Sequence, residues 1–268
     1  MIAWEEIMIR TVNAVRYITP LREGGSLPAV VDADDGERYV MKFLGAGQGA
    51  KALIAELVAG ELARALGFRI PEIVFMELDP SMGRTESHQE IQDLLQASRG
   101  LNLGLRFLPS AFAYNPLLEP PIDSQLASQI VWFDAYTTNV DRTPRNVNML
   151  LWAEELWLID HGAALYFHHN WSGDYLAQSQ SPFAYIKQHV LIGLADAIRE
   201  ADATLRPQLT DPLLETIVAQ IPDVWLGEEA TFANREEHRA AYVAYLAARR
   251  DHAARFVEEA ANAHAARL

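Results

Sequence analysis

The spacing of apolar residues changes along this chain, and that change constrains the fold more than any other feature. Early on, apolar and polar residues alternate, the period of a half-buried strand. Beyond about residue 122 the apolar residues recur every three to four positions, the period of a helix with one face inward. Thr11–Ile18 is rich in Val, Ile, Thr and Tyr, and Ala29–Val31 reads as a second strand. Asp35-Gly36 is a tight-turn pair leading into Arg38–Leu44, where Tyr39, Met41 and Phe43 share one face and Val40 and Lys42 the other. A loop, Gly45-Ala46-Gly47-Gln48-Gly49, opens a helix from about Ala50 to Leu66, buried through Leu53, Leu57 and Leu66 and stopped by Gly67. Ile73–Leu78 and Leu101–Leu108 are further strands, with a short helix at Glu90–Ala97 between them.

The second part reads differently. Ser124–Thr138 is a helix with Leu126, Ile130, Phe133 and Ala135 inward. Two short strands, Val147–Trp152 and Leu156–Ile159, flank the turn Ala153-Glu154-Glu155. A single amphipathic helix is expected from about Arg235 to Ala261, with Val243, Leu246, Ala253, Phe256 and Val257 on its stripe. The expected class is α+β, with a mixed, β-rich N-terminal lobe over residues 1–108 and a mainly helical C-terminal lobe over 109–268.

Composition narrows the function. Asp and Glu outnumber Lys and Arg by 36 to 22, a net charge of −14, which argues against direct contact with nucleic acid or an anionic membrane. There are no cysteines, so disulfides, Cys-ligated zinc, iron–sulfur clusters and thiol nucleophiles are excluded. No apolar run approaches the ~20 residues that span a bilayer. Met1–Arg10 carries Glu5 and Glu6 and does not read as a secretory signal, so a cytoplasmic location is expected. The lysines are just Lys42, Lys51 and Lys187, the remaining cations being arginines.

The chemistry is concentrated in Asn139-Val140-Asp141-Arg142-Thr143-Pro144-Arg145-Asn146, followed across two short strands by Asp160-His161-Gly162. Either stretch alone also reads as a solvated turn. Together they supply what phosphoryl transfer needs: one carboxylate to orient an acceptor hydroxyl and take its proton, and an amide oxygen with a second carboxylate to hold Mg²⁺ against nucleotide phosphates. The helix–strand loop places Asp141 near Asn146, and the hairpin returns the chain so that Asp160 can face them.

This constellation resembles the protein-kinase-like superfamily, and more closely the HipA-type serine/threonine kinases, over roughly residues 20–165. The catalytic loop there has the form D-x-x-x-x-N, matched by Asp141 and Asn146, and Asp160 sits where the metal-binding Asp-x-Gly belongs. The resemblance implies Asp141 as catalytic base, Asn146 and Asp160 as Mg²⁺ ligands, and ATP as phosphoryl donor. It also implies a lysine for the nucleotide phosphates, and Lys42 stands in the expected place on its strand. The glutamate partner of that lysine could be Glu56 or Glu61. The stretch Ala55-Glu56-Leu57-Val58 to Gly67 is similar to the HipA-type helix, where the glutamate precedes the closing glycine by eleven residues, and this selects Glu56. Glu61 is then expected on the solvated face.

Gly24-Gly25-Ser26, in a strand–loop–strand, could cap the phosphates through backbone N–H groups. The base is expected against Arg106, Phe107 and Leu108, through backbone groups. Gly45–Lys51 is not a P-loop, because Gly49-Ala50-Lys51-Ala52 lacks the adjacent Gly-Lys followed by Ser or Thr. His161, His168 and His169 fit no metal spacing and are expected on a solvated or substrate-facing segment.

The sequence departs from the family pattern at Thr143, where lysine or histidine is usual, with Arg145 the nearby positive group. It departs again at Val140, which stands where many kinases have arginine. The expected activity is transfer of the γ-phosphate of ATP, with Mg²⁺, to a Ser or Thr hydroxyl of a protein. A lipid or small-molecule hydroxyl is a second acceptor class, and a catalytically inactive nucleotide-binding regulator an alternative. The resemblance also implies an antitoxin-like protein partner.

Overall fold

The computed structural model describes residues 8–21, 27–47, 49–79, 82, 88–115, 122–171, 174–227 and 229–267. Its first part contains five strands: β1 (Thr11–Pro20), β2 (Ala29–Ala33), β3 (Arg38–Lys42), β4 (Ile73–Leu78) and β5 (Gly100–Arg106). α1 (Ala50–Ala65) lies between β3 and β4, and α2 (Gln89–Ala97) between β4 and β5. The strands close into a barrel in the order β1-β2-β3-β5-β4, sealed by the parallel pairing of β1 with β4 at Thr11↔Phe75. Closure leaves no edge to be covered. The period-two reading of β3 holds: Tyr39, Met41 and Phe43 are buried, and with Val12, Val31, Val74 and Met76 they fill the barrel. Lys42, on the alternate face, therefore points out of it.

α1 is not a one-sided amphipathic helix. Every residue from Leu53 to Ala63 is buried, because α1 packs against the barrel on one side and the helical part on the other. Gly60 permits this closeness: a Cβ there would sit 2.5 Å from Ile73 Cδ1. α1 shares one continuous apolar core with Trp132, Phe133, Leu214, Ile217 and Trp225 from the second part.

That second part opens with β6 (Phe112–Ala113) and α3 (Ser124–Tyr136), then the hairpin β7 (Met149–Trp152) and β8 (Glu155–Leu158). β6 adds to β7 and makes a three-stranded sheet, a strand the Pro-punctuated sequence did not announce. Asp123 caps α3 by accepting from the Leu126 N–H. Ala153 and Glu154 both take positive φ, 50° and 63°, the geometry of a two-residue hairpin turn. The remaining α-helices among the described residues are α4 (Tyr175–Ser179), α5 (Ile198–Leu205), α6 (Asp211–Ala219), α7 (Asp223–Leu226), α8 (Arg235–Asp251) and α9 (Ala254–Ala265), with short 3-10 turns between some of them. The single long C-terminal helix expected from the sequence is thus two, broken at His252-Ala253.

One contact fixes the parts to each other, and another holds the end of α3. The Trp225 indole donates to the Leu101 carbonyl at 2.9 Å and meets Phe75 edge-on, tying α7 to the barrel. Arg249 of α8 is fully buried and donates to the carbonyls of Ala135, Tyr136, Ser179 and Ser181. It thereby satisfies the last carbonyls of α3, where a cation also meets the negative end of the helix dipole. The chain leaves α3 there and enters the loop that carries Asp141.

Candidate functional site

Lys42 leaves the barrel at the end of β3 and reaches α1 and the segment after β8. Its ammonium lies 2.5 Å from Glu56 Oε2 and 2.5 Å from Asp160 Oδ1. Glu56 is completely buried, Lys42 nearly so, and the Asp160 side chain is 43% exposed, which puts Asp160 at the mouth of the group. Burial alone would push the Glu56 carboxyl up, but the Lys42 charge beside it wins and holds it down at about 2. Burial would likewise lower Lys42; the two carboxylates outweigh it and raise the ammonium above its usual range. Both groups are therefore ionised at neutral pH. His161 Nδ1 stands 3.6 Å from Glu56 Oε1, behind the pair, with its ring edge-on to Phe133.

Glu61 differs from expectation. It is buried rather than solvated, pairs with Arg64 at 3.1 Å, and burial raises its carboxyl. The reason is the packing of α1 on both sides, which leaves no solvated face along its middle turns. His161 and His168 are also fully buried, against the expectation of a solvated segment; of the three histidines His169 is the exposed one. His168 Nδ1 lies 3.1 Å from the Tyr242 hydroxyl. No group of three or more His, Asp or Glu that could hold a metal occurs among the described residues.

Asp141 follows α3 after four residues. Asn146 Nδ2 donates to its Oδ1 at 2.9 Å, so the expected closeness of these two holds. Asn148 Nδ2 donates to the other oxygen at 3.3 Å, and the Asp141 N–H donates to Asn139 Oδ1 at 3.1 Å. The Asn146 amide oxygen accepts no hydrogen bond among the described residues. Asn148 and Asp160 both have positive φ, 51° and 56°, a backbone cost of order 1 kcal/mol each that the surrounding structure imposes. Thr143 donates its N–H to the Asn146 carbonyl, and Arg145 is exposed on the same turn.

The donor set suits a metal that arrives with a nucleotide. Mg²⁺ is ordinarily held by one or two carboxylates with phosphate oxygens and water completing its shell. Asp160 and the free amide oxygen of Asn146 are a set of that size and exposure.

The remaining predicted positions divide. Arg106, Phe107 and Leu108 line a groove of about 800 Å³ together with Arg38, Pro109 and Trp152. The Arg106 N–H is bonded to the Glu72 carbonyl and the Phe107 N–H to the Arg38 carbonyl, so these two donors are not free for a base. Gly24, Gly25 and Ser26 lie outside the described residues. Lys51 pairs with Glu229 at 3.3 Å.

Sequence reasoning passed over Asp134, Asn148 and His189. Asp134 could have been noticed: it follows Ile130 by four residues on the inward stripe of α3, where a carboxylate must have partners.

A barrel carrying a lysine that pairs with a helix glutamate, joined to a helical part carrying Asp141, Asn146 and Asp160, defines a protein-kinase-like molecule. The sequence matches the HipA-like kinase family over residues 14–256, and the chain belongs to that family. It is on this ground a kinase. Its fold is shared with the Helicobacter pylori proinflammatory kinase CtkA, at 12% identity and a TM-score of 0.54, covering 96% of this chain and 99% of that one. The Golgi casein kinase with Mn/ADP bound is similar at 11% identity and a TM-score of 0.49, over 97% of this chain and 74% of that one. A search of curated protein sequences found no match.

Proposed function

We propose that this kinase transfers the γ-phosphate of ATP to the hydroxyl of a Ser or Thr in a protein. The observation that carries the reading is the convergence of Lys42 on Glu56 and Asp160, 2.5 Å from each, with the Asp160 segment tied through the Ile159 N–H and Asn148 to the hydrogen-bonded Asp141–Asn146 pair. Lys42, oriented by Glu56, contacts the phosphates. Asp160 and Asn146 hold the metal, which when bound neutralises charge on the transferring group. Asp141, its carboxylate fixed by two amides, orients the acceptor hydroxyl and takes its proton. Rate comes mainly from positioning and charge stabilisation. Residues 1–108 then form the nucleotide-binding lobe and 109–268 the catalytic lobe. An acidic chain of net charge −14 would depend on an antitoxin-like protein partner for any contact with DNA, and would act in the cytoplasm.

The test is incubation with γ-labelled ATP and Mg²⁺, wild type beside Asp141→Asn. Label in protein from the wild type, reduced ~100-fold or more in the variant, is expected, since a positioned base contributes ~10²–10⁴ in rate. Equal label in both would remove Asp141 from the reaction. The absence of both transfer and ATP-induced stabilisation in the wild type would overturn the reading.

A further inference from the structure

Behind the candidate base lies a buried polar group that the reading above does not use. Asp134, on the last turn of α3, is completely buried, and so is the side chain of Arg142. Arg142 Nε donates to Asp134 Oδ2 at 2.6 Å. His189 Nε2 lies 2.8 Å from the same oxygen, and its Nδ1 accepts from the Leu191 N–H, so the imidazole is neutral and donates to Asp134. Asn139 Nδ2 donates to the other oxygen at 3.0 Å. Burial pushes the Asp134 carboxyl up, but the Arg142 charge and the His189 N–H outweigh it and hold the carboxyl well below its ordinary range.

The donors lead straight to the site. Asn139 passes the contact on by accepting from the Asp141 N–H. Arg142 passes it on in another direction: its guanidinium donates to the Asn148 carbonyl and, at 3.4 Å, to the Ile159 carbonyl, next in chain to Asp160. The Ile159 N–H in turn donates to the Asn148 carbonyl. One carboxylate thus has two arms. The Asn139 arm ends on the backbone of the base, and the Arg142 arm ends on the backbone before the metal-ligand segment. A surface turn needs neither. A buried ion pair also contributes little net stability against an apolar pair of the same volume, because desolvation offsets the attraction. Its use here is geometric.

We propose that Asp134 is a positioning residue for phosphoryl transfer, setting Asp141 through Asn139 and the Asp160 segment through Arg142, with His189 fixing its orientation. The inference rests on the kinase chemistry proposed above for what is positioned, and on the hydrogen bonds alone for how. Lys42 and Glu56 make no hydrogen bond to Asp134, Asn139 or Arg142, so the network bears on the base and the metal-ligand segment rather than on metal-free nucleotide binding.

Hydrogen–deuterium exchange of the wild type, Asp134→Asn and Asn139→Ala separates the arms. Asn139→Ala removes neutral hydrogen bonds and is the variant that keeps the fold. It should speed exchange in residues 139–148 and leave 157–163 unchanged. Asp134→Asn keeps an acceptor for Asn139 but presents an amide where Arg142 and His189 donate, and should speed exchange in 147–150 and 157–163. In both variants kcat should fall about 10- to 100-fold, the usual effect of losing an outer-shell partner, with the metal-free dissociation constant for ADP within about twofold of wild type. Unchanged exchange in the named segments of Asn139→Ala, or loss of kcat and ADP binding in step with a general loss of protection in α8 and α9, would overturn the proposal. If the wild type transfers no phosphate, the proposed activity fails by itself, and the exchange of the two segments still decides whether Asp134 holds them.

Discussion

Lys42 shows how far single residues could be read. Alternation along β3 sends Tyr39, Met41 and Phe43 into the barrel, so Lys42 has to leave it toward α1. Its partner Glu56 was legible through the resemblance to a family helix. The fate of Glu61 was not, because a periodic pattern says which face is apolar, not that both faces are covered. Breaking the Lys42–Glu56 pair from one side leaves a buried carboxylate alone, which costs ~3–5 kcal/mol. Lys42→Met should therefore lower Tm markedly as well as abolish transfer, and adding Glu56→Gln to it should restore part of the Tm but none of the activity. Thermal melts of the single and double variants check this. His168 gives a pH prediction. Burial first, then His169, Lys51 and His238 nearby, hold its imidazole well below the ordinary value, so the native state keeps it neutral. Below pH ~6.5 the unfolded chain binds a proton that the native chain refuses. Stability is thus full above that pH and falls by up to ~1.4 kcal/mol per pH unit as acid is added, until the folded value is reached. His189 and His238 are lowered too and add to the slope. Tm should drop between pH 7.5 and 5.5, and His168→Phe should flatten that drop even if it starts from a lower Tm.

At the scale of elements, what was legible was whatever local pattern decides. β4 at Ile73–Leu78 and the β7–β8 hairpin needed no tertiary knowledge beyond alternation and a turn. β6, two residues long, exists because β7 offers it an edge, and nothing in Phe112-Ala113 says so. The break between α8 and α9 was hidden in the same way. The stripe continues through His252-Ala253, while the chain turns so that Phe256 can pack on Trp132 and Tyr136. Arg249, just before the break, is the cation that finishes α3. Arg249→Met should cost at least about 3 kcal/mol, because hydrogen bonds from a charged donor to four carbonyls, three of them buried, are lost. Chemical denaturation at fixed pH measures it, and a loss under 1 kcal/mol would mean that the carbonyls find other donors. Gly45 is a second element-scale prediction. Its N–H donates to Ser98 Oγ, and a Cβ would fall 2.6 Å from Ala97 Cβ and 2.8 Å from the Ala97 carbonyl carbon. Gly45→Ala must separate the β3–α1 loop from the end of α2, costing ~1–3 kcal/mol by the same assay.

At the scale of the whole molecule, the two parts are joined by packing as much as by chain. α1 belongs to the large helical core while Glu56 on it pairs with a lysine from the barrel, so the Lys42–Glu56 pair is built across that junction. The two-part α+β organisation was legible from the change of period alone. Closure of the barrel was not, because the parallel β1–β4 pairing is made between strands far apart in sequence. In the proposed reaction Lys42, Asn146 and Asp160 together receive a metal–nucleotide. Calorimetric titration of ADP, with Mg²⁺ and with EDTA, into wild type, Lys42→Met and Asp160→Asn tests it most directly. ADP binding should strengthen at least tenfold with Mg²⁺, lose that gain in Asp160→Asn, and weaken in Lys42→Met with or without metal. ADP binding that is indifferent to Mg²⁺ and unchanged in both variants would contradict it.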